Sequence, residues 1–265
     1  FDSGLNVTGN ITGGTYNGLS VGTGGGDIAF NTAVGDSTLQ NNTTGSDNTA
    51  VGHSALNLNT EGSQNTAIGL NALYSNTTAN HVTAVGENAL YNNNGNNNTA
   101  IGRQSMYENT TGANNTAVGR SSLQDNIEGN YNVAVGLSAL QSNTIGNDNT
   151  AVGRSALEAS TEGTQNTAVG QNALYTNTEG DQNVAVGSES LNSNATGSGN
   201  VALGYKAGYY IESNNNTILG GYEGTEADST LSDTVIISAG TTERMRINSS
   251  GNVLIGNSAA TPNIT

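Results

Sequence analysis

One pattern of large and small residues recurs along most of the chain. Asn-Thr-Ala-Val-Gly, or a close variant, ends on a glycine at twelve places, and successive glycines are seventeen residues apart except for two intervals of sixteen. The three residues before each glycine read large, small, large, which is the two-residue period of a β-strand. The repeat therefore predicts a stack of short strands. The glycines are Gly35, Gly52, Gly69, Gly86, Gly102, Gly119, Gly136, Gly153, Gly170, Gly187, Gly204 and Gly220.

Each repeat contains two short segments and two turns. A second glycine follows ten residues after most of those that end the motif, and Asn, Gly and Ser cluster around both. Two glycines and several Asn or Thr residues in each repeat leave no stretch with helical propensity. We therefore expect a short strand in each segment, the second carrying a recurrent leucine such as Leu56 or Leu73, with Met106 as the exception.

The substitutions within the motif predict which side chains face inward. The Thr position becomes Val at Val133, Val184 and Val201 and never carries a charge, which favours an inward, partly apolar site. The Val or Ile two residues later is expected to point the same way. The Ala between them is then expected to face the opposite side, where its constant small size suggests the close approach of another chain.

A single coil of this kind is too poor in hydrophobic residues to fold alone. It would bury two or three large side chains, worth about 1.5–3 kcal/mol each, whereas ordering its residues costs about 1 kcal/mol or more for each. Stacked coils share a continuous core and backbone ladders. The predicted fold is thus all-β, a parallel β-solenoid of about 11–12 coils with a 17-residue repeat, roughly 50 Å long at the usual strand spacing, with self-association adding burial.

The repeat divides the chain into three expected parts. Residues 1–27 are a Gly-rich N-terminal shaft segment, residues 28–220 are the solenoid, and residues 221–265 are a cap followed by a small β module. In that last part three short strands are expected, separated by turns at Gly240 and Gly251.

Composition narrows the classes of partner. Six basic residues against twenty-one acidic ones give a net charge of −15, which argues against nucleic acid and anionic membranes. The absence of cysteine excludes disulfides and thiolate metal sites. No apolar run approaches the length of a membrane span, and no cofactor or metal site is predicted.

The repeat resembles the head of trimeric autotransporter adhesins of the YadA type, through its Asn-Thr/Val-Ala-Val/Ile-Gly motif with Ala-Leu after it. That resemblance implies a homotrimer of left-handed parallel β-rolls. The stretch TERMRINSSGNVLIGN at residues 242–257 is similar to the segment before the intramolecular chaperone of bacteriophage tail fibres. It implies a virion tail fibre in which the chaperone after this segment is either removed or not part of this chain; a bacterial cell-surface protein is the alternative.

The expected function is structural and adhesive. The first hypothesis is a tail-fibre segment that attaches to a host surface receptor, a glycan in the first place, and that joins other tail or baseplate proteins. The second is the head of a bacterial trimeric adhesin, and the third is an ice-binding solenoid. The chain is not expected to be an enzyme, although a depolymerising tailspike would need only a few carboxylates in a groove.

Four tyrosines are the candidate receptor-binding residues. Tyr74, Tyr91 and Tyr107 follow the leucine or methionine of three consecutive coils, and Tyr175 has the same position further on. Stacked rings offer an apolar plane and hydroxyl groups to a sugar, but the same rings could instead stack on one another and stiffen the rod.

For the other columns of polar residues, a structural role is favoured over a binding or catalytic one. The Asn that opens the motif is expected to form amide ladders between coils. The Thr column that would suit ice binding is interrupted by valines and is expected to face inward. Glu61, Glu162 and Glu179 share a turn position, where solvated charge is favoured over a bound cation. His53 and His81 occupy unrelated repeat positions, so no catalytic role is predicted for them.

Overall fold

Each coil of the chain contributes one three-residue strand to a common sheet. The structure is a computed structural model and describes residues 14–16, 19–28, 30–225 and 228–256. The remainder of the expected shaft segment and residues 257–265 lie outside the described residues. The part described contains no α-helix, only a 3₁₀ turn at Gly25–Asp27. The strands are β1 Gly14–Tyr16, β2 Leu19–Gly22, β3 Thr32–Val34, β4 Thr49–Val51, β5 Thr66–Ile68, β6 Thr83–Val85, β7 Thr99–Ile101, β8 Thr116–Val118, β9 Val133–Val135, β10 Thr150–Val152, β11 Thr167–Val169, β12 Val184–Val186, β13 Val201–Leu203, β14 Thr217–Leu219, β15 Val235–Ala239, β16 Thr242–Ile247 and β17 Val253–Ile255.

The strands β3 to β14 pair in parallel, each with the strand of the next coil. Equivalent residues lie side by side, as in the pairs Ala134–Ala151 and Ala151–Ala168. The register survives the two shorter coils, where Thr83 pairs with Thr99 and Val201 with Thr217. This pairing confirms the predicted parallel β-solenoid of about twelve turns.

Antiparallel strands continue the sheet at both ends of the solenoid. At the start, β1 pairs with β2 and β2 pairs with β3. At the end, β15 pairs in parallel with β14, and β15, β16 and β17 then pair antiparallel. The last three strands form at the predicted places but extend the solenoid sheet, so a separate C-terminal module stays a prediction, as do the boundaries of the three parts.

The side chains of the solenoid strands point the opposite way from the prediction. The middle alanines, including Ala50, Ala67 and Ala84, are fully buried. The flanking Thr and Val or Ile residues face outward, and Ile68 is 41% exposed. The expectation of an inward Thr–Val pair and an outward alanine is therefore wrong. Its physical cause is the narrow interior of the coil, where a buried leucine from the second segment leaves room for only a methyl group on the strand side.

The second segment of each repeat is a series of turns, so the prediction of a second strand is also wrong. Alternate residues take left-handed backbone angles, for example Ser54 at φ 56° and Leu56 at φ 51°. These angles curl the chain so that the leucine side chain enters the core, where it is fully buried. The segment still bonds to its neighbour, since the Leu56 N–H donates to the Ala72 carbonyl at 3.0 Å.

The asparagines that open the motif form the expected ladder, but through the backbone. The N–H of Asn48 donates to Oδ1 of Asn31 at 2.8 Å, and the Asn48 Nδ2 donates to the Gly62 carbonyl at 2.8 Å. One side chain thus links two coils and closes a turn. Buried amides must be hydrogen-bonded to be tolerated, and this arrangement satisfies both ends of each.

A second asparagine ladder, which the sequence analysis missed, lies inside the opposite turn. Nδ2 of Asn59 donates to Oδ1 of Asn42 at 2.9 Å and to the Gly62 carbonyl at 2.9 Å. The column is buried throughout. Its members are Asn42, Asn59, Asn76, Asn93, Asn109, Asn126, Asn143, Asn177 and Asn194.

The glycine that ends each motif is required by close packing between coils. At Gly136 the backbone has φ 137°, and a Cβ atom there would lie 2.5 Å from the carbonyl oxygen of Gly153 in the next coil. A non-glycine residue would need both an unfavourable backbone angle and a shift of the neighbouring coil. The repeated glycine is thus a condition of the stacking.

Candidate binding surfaces

Three of the four predicted tyrosines form a continuous stack. The rings of Tyr74 and Tyr91 are 5.0 Å apart with an angle of 8° between their planes. Tyr91 and Tyr107 are 5.2 Å apart at 18°. All three side chains are half-buried, because each ring covers part of the next. Burial raises the pKa of the Tyr91 hydroxyl above its usual 10.0, and the neighbouring Tyr74 and Tyr107 raise this pKa further.

This geometry limits how a sugar can meet the tyrosine stack. The faces of Tyr91 are occupied by Tyr74 and Tyr107, so only ring edges, hydroxyl groups and the outer faces of the end rings remain open. Tyr175 does not join them, because it lies four coils beyond Tyr107. Its side chain is 36% exposed. The structure therefore brings three of the four residues together and leaves the fourth alone.

The outward faces of the strands form a long apolar stripe. The stripe consists of the Val, Ile or Leu residue that precedes each motif glycine, and it continues over the twelve strands from β3 to β14. Seven of these side chains are at least 36% exposed. The Thr or Val column lies beside it on the same face, because both alternate with the buried alanine. The exposed members are Ile68, Ile101, Val135, Val152, Val169, Val186 and Leu203.

Arginines accompany one part of this stripe. Arg103, Arg120 and Arg154 each follow a motif glycine, and all three are exposed. They are half of the six basic residues of a chain with a net charge of −15. Only Arg103 has an ion pair among the described residues, from its Nε to Oε2 of Glu87 at 3.4 Å. The position after the motif glycine thus carries three arginines in an acidic protein, and Asp36 and Glu87 hold it in earlier coils.

Family models, curated proteins and solved structures contain no match to this chain.

An exposed tyrosine that the sequence analysis missed lies in another column. Tyr131 is 61% exposed and has a left-handed φ of 59°. The equivalent residue in the neighbouring coils is Asn114 on one side and Asp148 on the other. The signal in the sequence was an aromatic residue at a repeat position that carries Phe30 at the start of the solenoid and otherwise Asn, Asp, Gln, His or Gly.

A polar network ties β16 to the segment after β14. The Tyr222 hydroxyl donates to Oδ2 of Asp228 at 3.0 Å and accepts from Nη2 of Arg246 at 3.1 Å. Arg246 also donates twice to Oε2 of Glu243, at 3.0 and 2.6 Å. Burial, followed by the bond to Asp228, raises the pKa of Tyr222 to about 12. These polar groups satisfy one another, so the network's evident role is to hold the end of the solenoid.

The histidines and turn glutamates lie apart on the surface. Nε2 of His53 is 3.4 Å from Oδ2 of Asp36 and its Nδ1 is 3.0 Å from the Ser54 hydroxyl, while His81 is exposed on a turn. Glu61, Glu162 and Glu179 are also exposed. Across the described ranges, no three His, Cys, Asp or Glu side chains are grouped so that they could hold a metal ion. Nor does any helix there have the length and hydrophobicity of a membrane span.

Proposed function

We propose that the chain is a segment of a homotrimeric adhesive fibre, in the first place a phage tail fibre that attaches to a host-cell receptor. The observation that carries this proposal is the apolar stripe on the outer face of β3 to β14. Monomeric proteins rarely expose a continuous apolar patch of more than a few hundred Å². A stripe about 50 Å long at the usual strand spacing is therefore a surface that other copies of the chain would cover.

Each coil buries little apolar surface in its own interior, so contact with other copies of the chain would add to its stability. Its interior holds one leucine, two small residues and buried asparagines, as in the coil of Leu140 with Ala134 and Ala139. Covering the Val and Thr columns would add roughly 1.5 kcal/mol or more for each valine buried. In a symmetric assembly each copy presents the same sites, so weak receptor contacts are multiplied by avidity.

Light scattering on the full chain tests the assembly. The expected mass is three times the 26.7 kDa of one chain. A monodisperse monomer at micromolar concentration would contradict the proposal. Attachment of the purified protein to intact bacterial cells, measured against cells stripped of surface glycans, tests the adhesive role. Neighbouring genes for baseplate or capsid proteins would favour a phage fibre, and a downstream membrane anchor would favour the bacterial adhesin.

The outward Thr column favours a second candidate function, ice binding. Thr49, Thr66 and Thr83 lie on adjacent parallel strands at equivalent positions and face away from the core. One argument against ice binding was the expectation that this column faces inward, and that argument no longer holds. The other argument, the interruption of the column by valines, still holds. Thermal hysteresis of the solution is the test. The two functions compete for one face, so a stable trimer with that face covered excludes ice binding there.

A further inference from the structure

A shallow groove surrounds Tyr131 on the turn side of the solenoid, away from the tyrosine stack. Its volume is about 400 Å³, and it is lined by Asn130, Tyr131, Asn147, Asp148, Thr164 and Gln165. These residues are the last two positions of three consecutive repeats. This size lies at the lower end of the range for small-molecule sites.

The floor of the groove is fixed by hydrogen bonds. Oδ1 of Asn147 accepts from the backbone N–H of Asn130 at 2.8 Å and from its Nδ2 at 3.2 Å. Nδ2 of Asn147 donates to the Ile145 carbonyl at 2.8 Å. The Thr164 hydroxyl donates to Oδ1 of Asp181 at 2.8 Å. These side chains are therefore already oriented before any ligand arrives.

The rim carries three groups that the described part of the chain does not satisfy. They are the Tyr131 hydroxyl and ring, the Asp148 carboxylate, and Nε2 of Gln165, whose Oε1 accepts from Gln182 at 3.1 Å. Tyr131, Asp148 and Gln165 occupy one column on successive coils, so they are spaced by about one strand separation each. A ring, an acceptor and a donor thus lie in a row about 10 Å long.

We infer that this groove binds a neutral oligosaccharide. An aromatic face packs against the C–H face of a sugar ring, a carboxylate accepts from two neighbouring hydroxyls, and an amide donates to a hydroxyl or ring oxygen. The row is long enough for about two sugar residues. Asp148 and the net charge of −15 disfavour sialic or uronic acids by repulsion.

The backbone of Tyr131 has the geometry that the other coils have at this position. Its φ of 59° matches those of Asn114 and Asp148 in the neighbouring coils, at 60° and 57°. The repeat itself therefore holds the exposed ring beside the unsatisfied groups of Asp148 and Gln165.

The inference deepens the proposed adhesive function by naming a site and a ligand class. It is tested on the full chain by titrating neutral hexose and N-acetylhexosamine oligomers, with a sialylated oligosaccharide as the charged comparison. Saturation-transfer NMR and isothermal titration report binding. The neutral oligomers are expected to bind with little dependence on salt, and Tyr131→Asn is expected to weaken binding roughly tenfold, with a similar loss for Asp148→Asn.

Both variants place in the groove a residue that other coils already carry there, as at Asn97 and Asn114, so they should fold normally. Asp47→Asn is the matched control, because it makes the same change as Asp148→Asn in the same column but six coils away, and its binding should equal that of the unmodified chain. Equal binding by Tyr131→Asn, no binding of any neutral oligomer, or binding only of basic peptides that salt abolishes would each overturn the groove assignment. Cell attachment and light scattering decide the adhesive proposal separately, so either can fail while the other holds.

Discussion

Oδ1 of Asn143 and the hydroxyl of Ser160 occupy consecutive coils of the second asparagine ladder, and both are buried without a hydrogen-bond partner. Elsewhere in the ladder the later asparagine donates to the earlier one, as Asn143 does to Asn126 at 2.7 Å. The third such atom of the described residues is Oδ1 of Asn194, and the following coil there carries Ile211 in place of an asparagine. In the described part of the chain, every buried polar side-chain atom without a hydrogen-bond partner thus lies at an interruption of the ladder.

Ser160→Asn is expected to stabilise the protein. The new Nδ2 would donate to Oδ1 of Asn143, and its Oδ1 would accept from Asn177, so two missing hydrogen bonds would form. Each net bond contributes about 0.5–1.5 kcal/mol, so the free energy of unfolding should rise by about 1–3 kcal/mol in denaturant titration. Ser142→Asn makes the same chemical change outside the ladder, at a position where another coil has Asn92, and should change little. A Ser160→Asn variant no more stable than its control would contradict the ladder's energetic role.

Gly136→Ala is expected to destabilise the solenoid by about 2 kcal/mol or more, because it adds strain at a left-handed angle and pushes against the next coil. Its Cβ would lie 2.5 Å from the Gly153 oxygen. Gly240→Ala is the control, since that glycine also has a positive φ of 59° but has nothing within 4 Å of an added Cβ. Thermal unfolding of both variants separates the clash from the backbone term, and equal losses would argue that stacking is not the cause.

Asp125→Asn is expected to stabilise the protein at neutral pH. Burial, and the negative charge of Glu108 in the preceding coil, raise the pKa of Asp125 above its usual 3.8, although a hydrogen bond from Gln124 opposes them. A carboxyl with a raised pKa favours folding in its protonated form and loses that contribution as the pH rises through its folded pKa. The variant should therefore gain about 0.5 kcal/mol at neutral pH. The gain should vanish below the ordinary pKa of Asp, and a gain that is constant with pH would point to packing instead.

Tyr91→Gln is expected to remove both contacts of the tyrosine stack. Each aromatic pair contributes about 0.5–1.5 kcal/mol beyond area burial, so a loss of about 1–3 kcal/mol is expected in the free energy of unfolding. Gln is acceptable at this repeat position, as Gln124 and Gln141 show. Tyr175→Gln should cost little by comparison. Should Tyr91→Gln instead leave stability unchanged and abolish receptor binding, the stack would be a binding surface and not a stiffening one.

Val135→Lys is expected to break the proposed trimer while leaving the single chain folded. The side chain is 36% exposed in the single chain, so lysine can remain in water there, whereas burial of its charge between copies would be costly. Ile127→Lys is the control, because Ile127 is 40% exposed but lies on a turn, off the stripe. Light scattering and circular dichroism together distinguish loss of assembly from loss of fold. A trimer that tolerates Val135→Lys would exclude that part of the stripe as the interface.

The repeat could be predicted from the sequence because its constraint is strictly local. Each motif glycine marks a place where two coils approach closely, and the spacing of these glycines in the sequence gives the number of residues in each coil directly. Which face of each strand lies toward the interior could not be predicted in the same way. The alternation of Thr49, Ala50 and Val51 shows that the alanine faces away from the other two, but not which side is the interior. That depends on the space left by Leu56, and the leucine reaches the core only because its own backbone is left-handed.

The candidate surfaces also differ in whether they could be predicted from the sequence. Tyr74, Tyr91 and Tyr107 could be found because one side chain recurs at a constant interval. Tyr131 could not, because its importance lies in being unlike its column and in neighbours that belong to three different repeats. The second asparagine ladder was missed because Asn is abundant in this chain, so the regular spacing of the ladder did not stand out before the burial of its residues was known.

The sixteen-residue coils show where the chain tolerates a change in length. In the coil of Thr83 the missing residue falls between Asn93 and Gly95, in the turn, while Thr83 and Thr99 remain in register. Deletions there leave the sheet, the glycine contacts and both flanking cores intact. For protein engineering, this turn is accordingly a natural graft point at which foreign peptides could be displayed at regular intervals along a rigid rod.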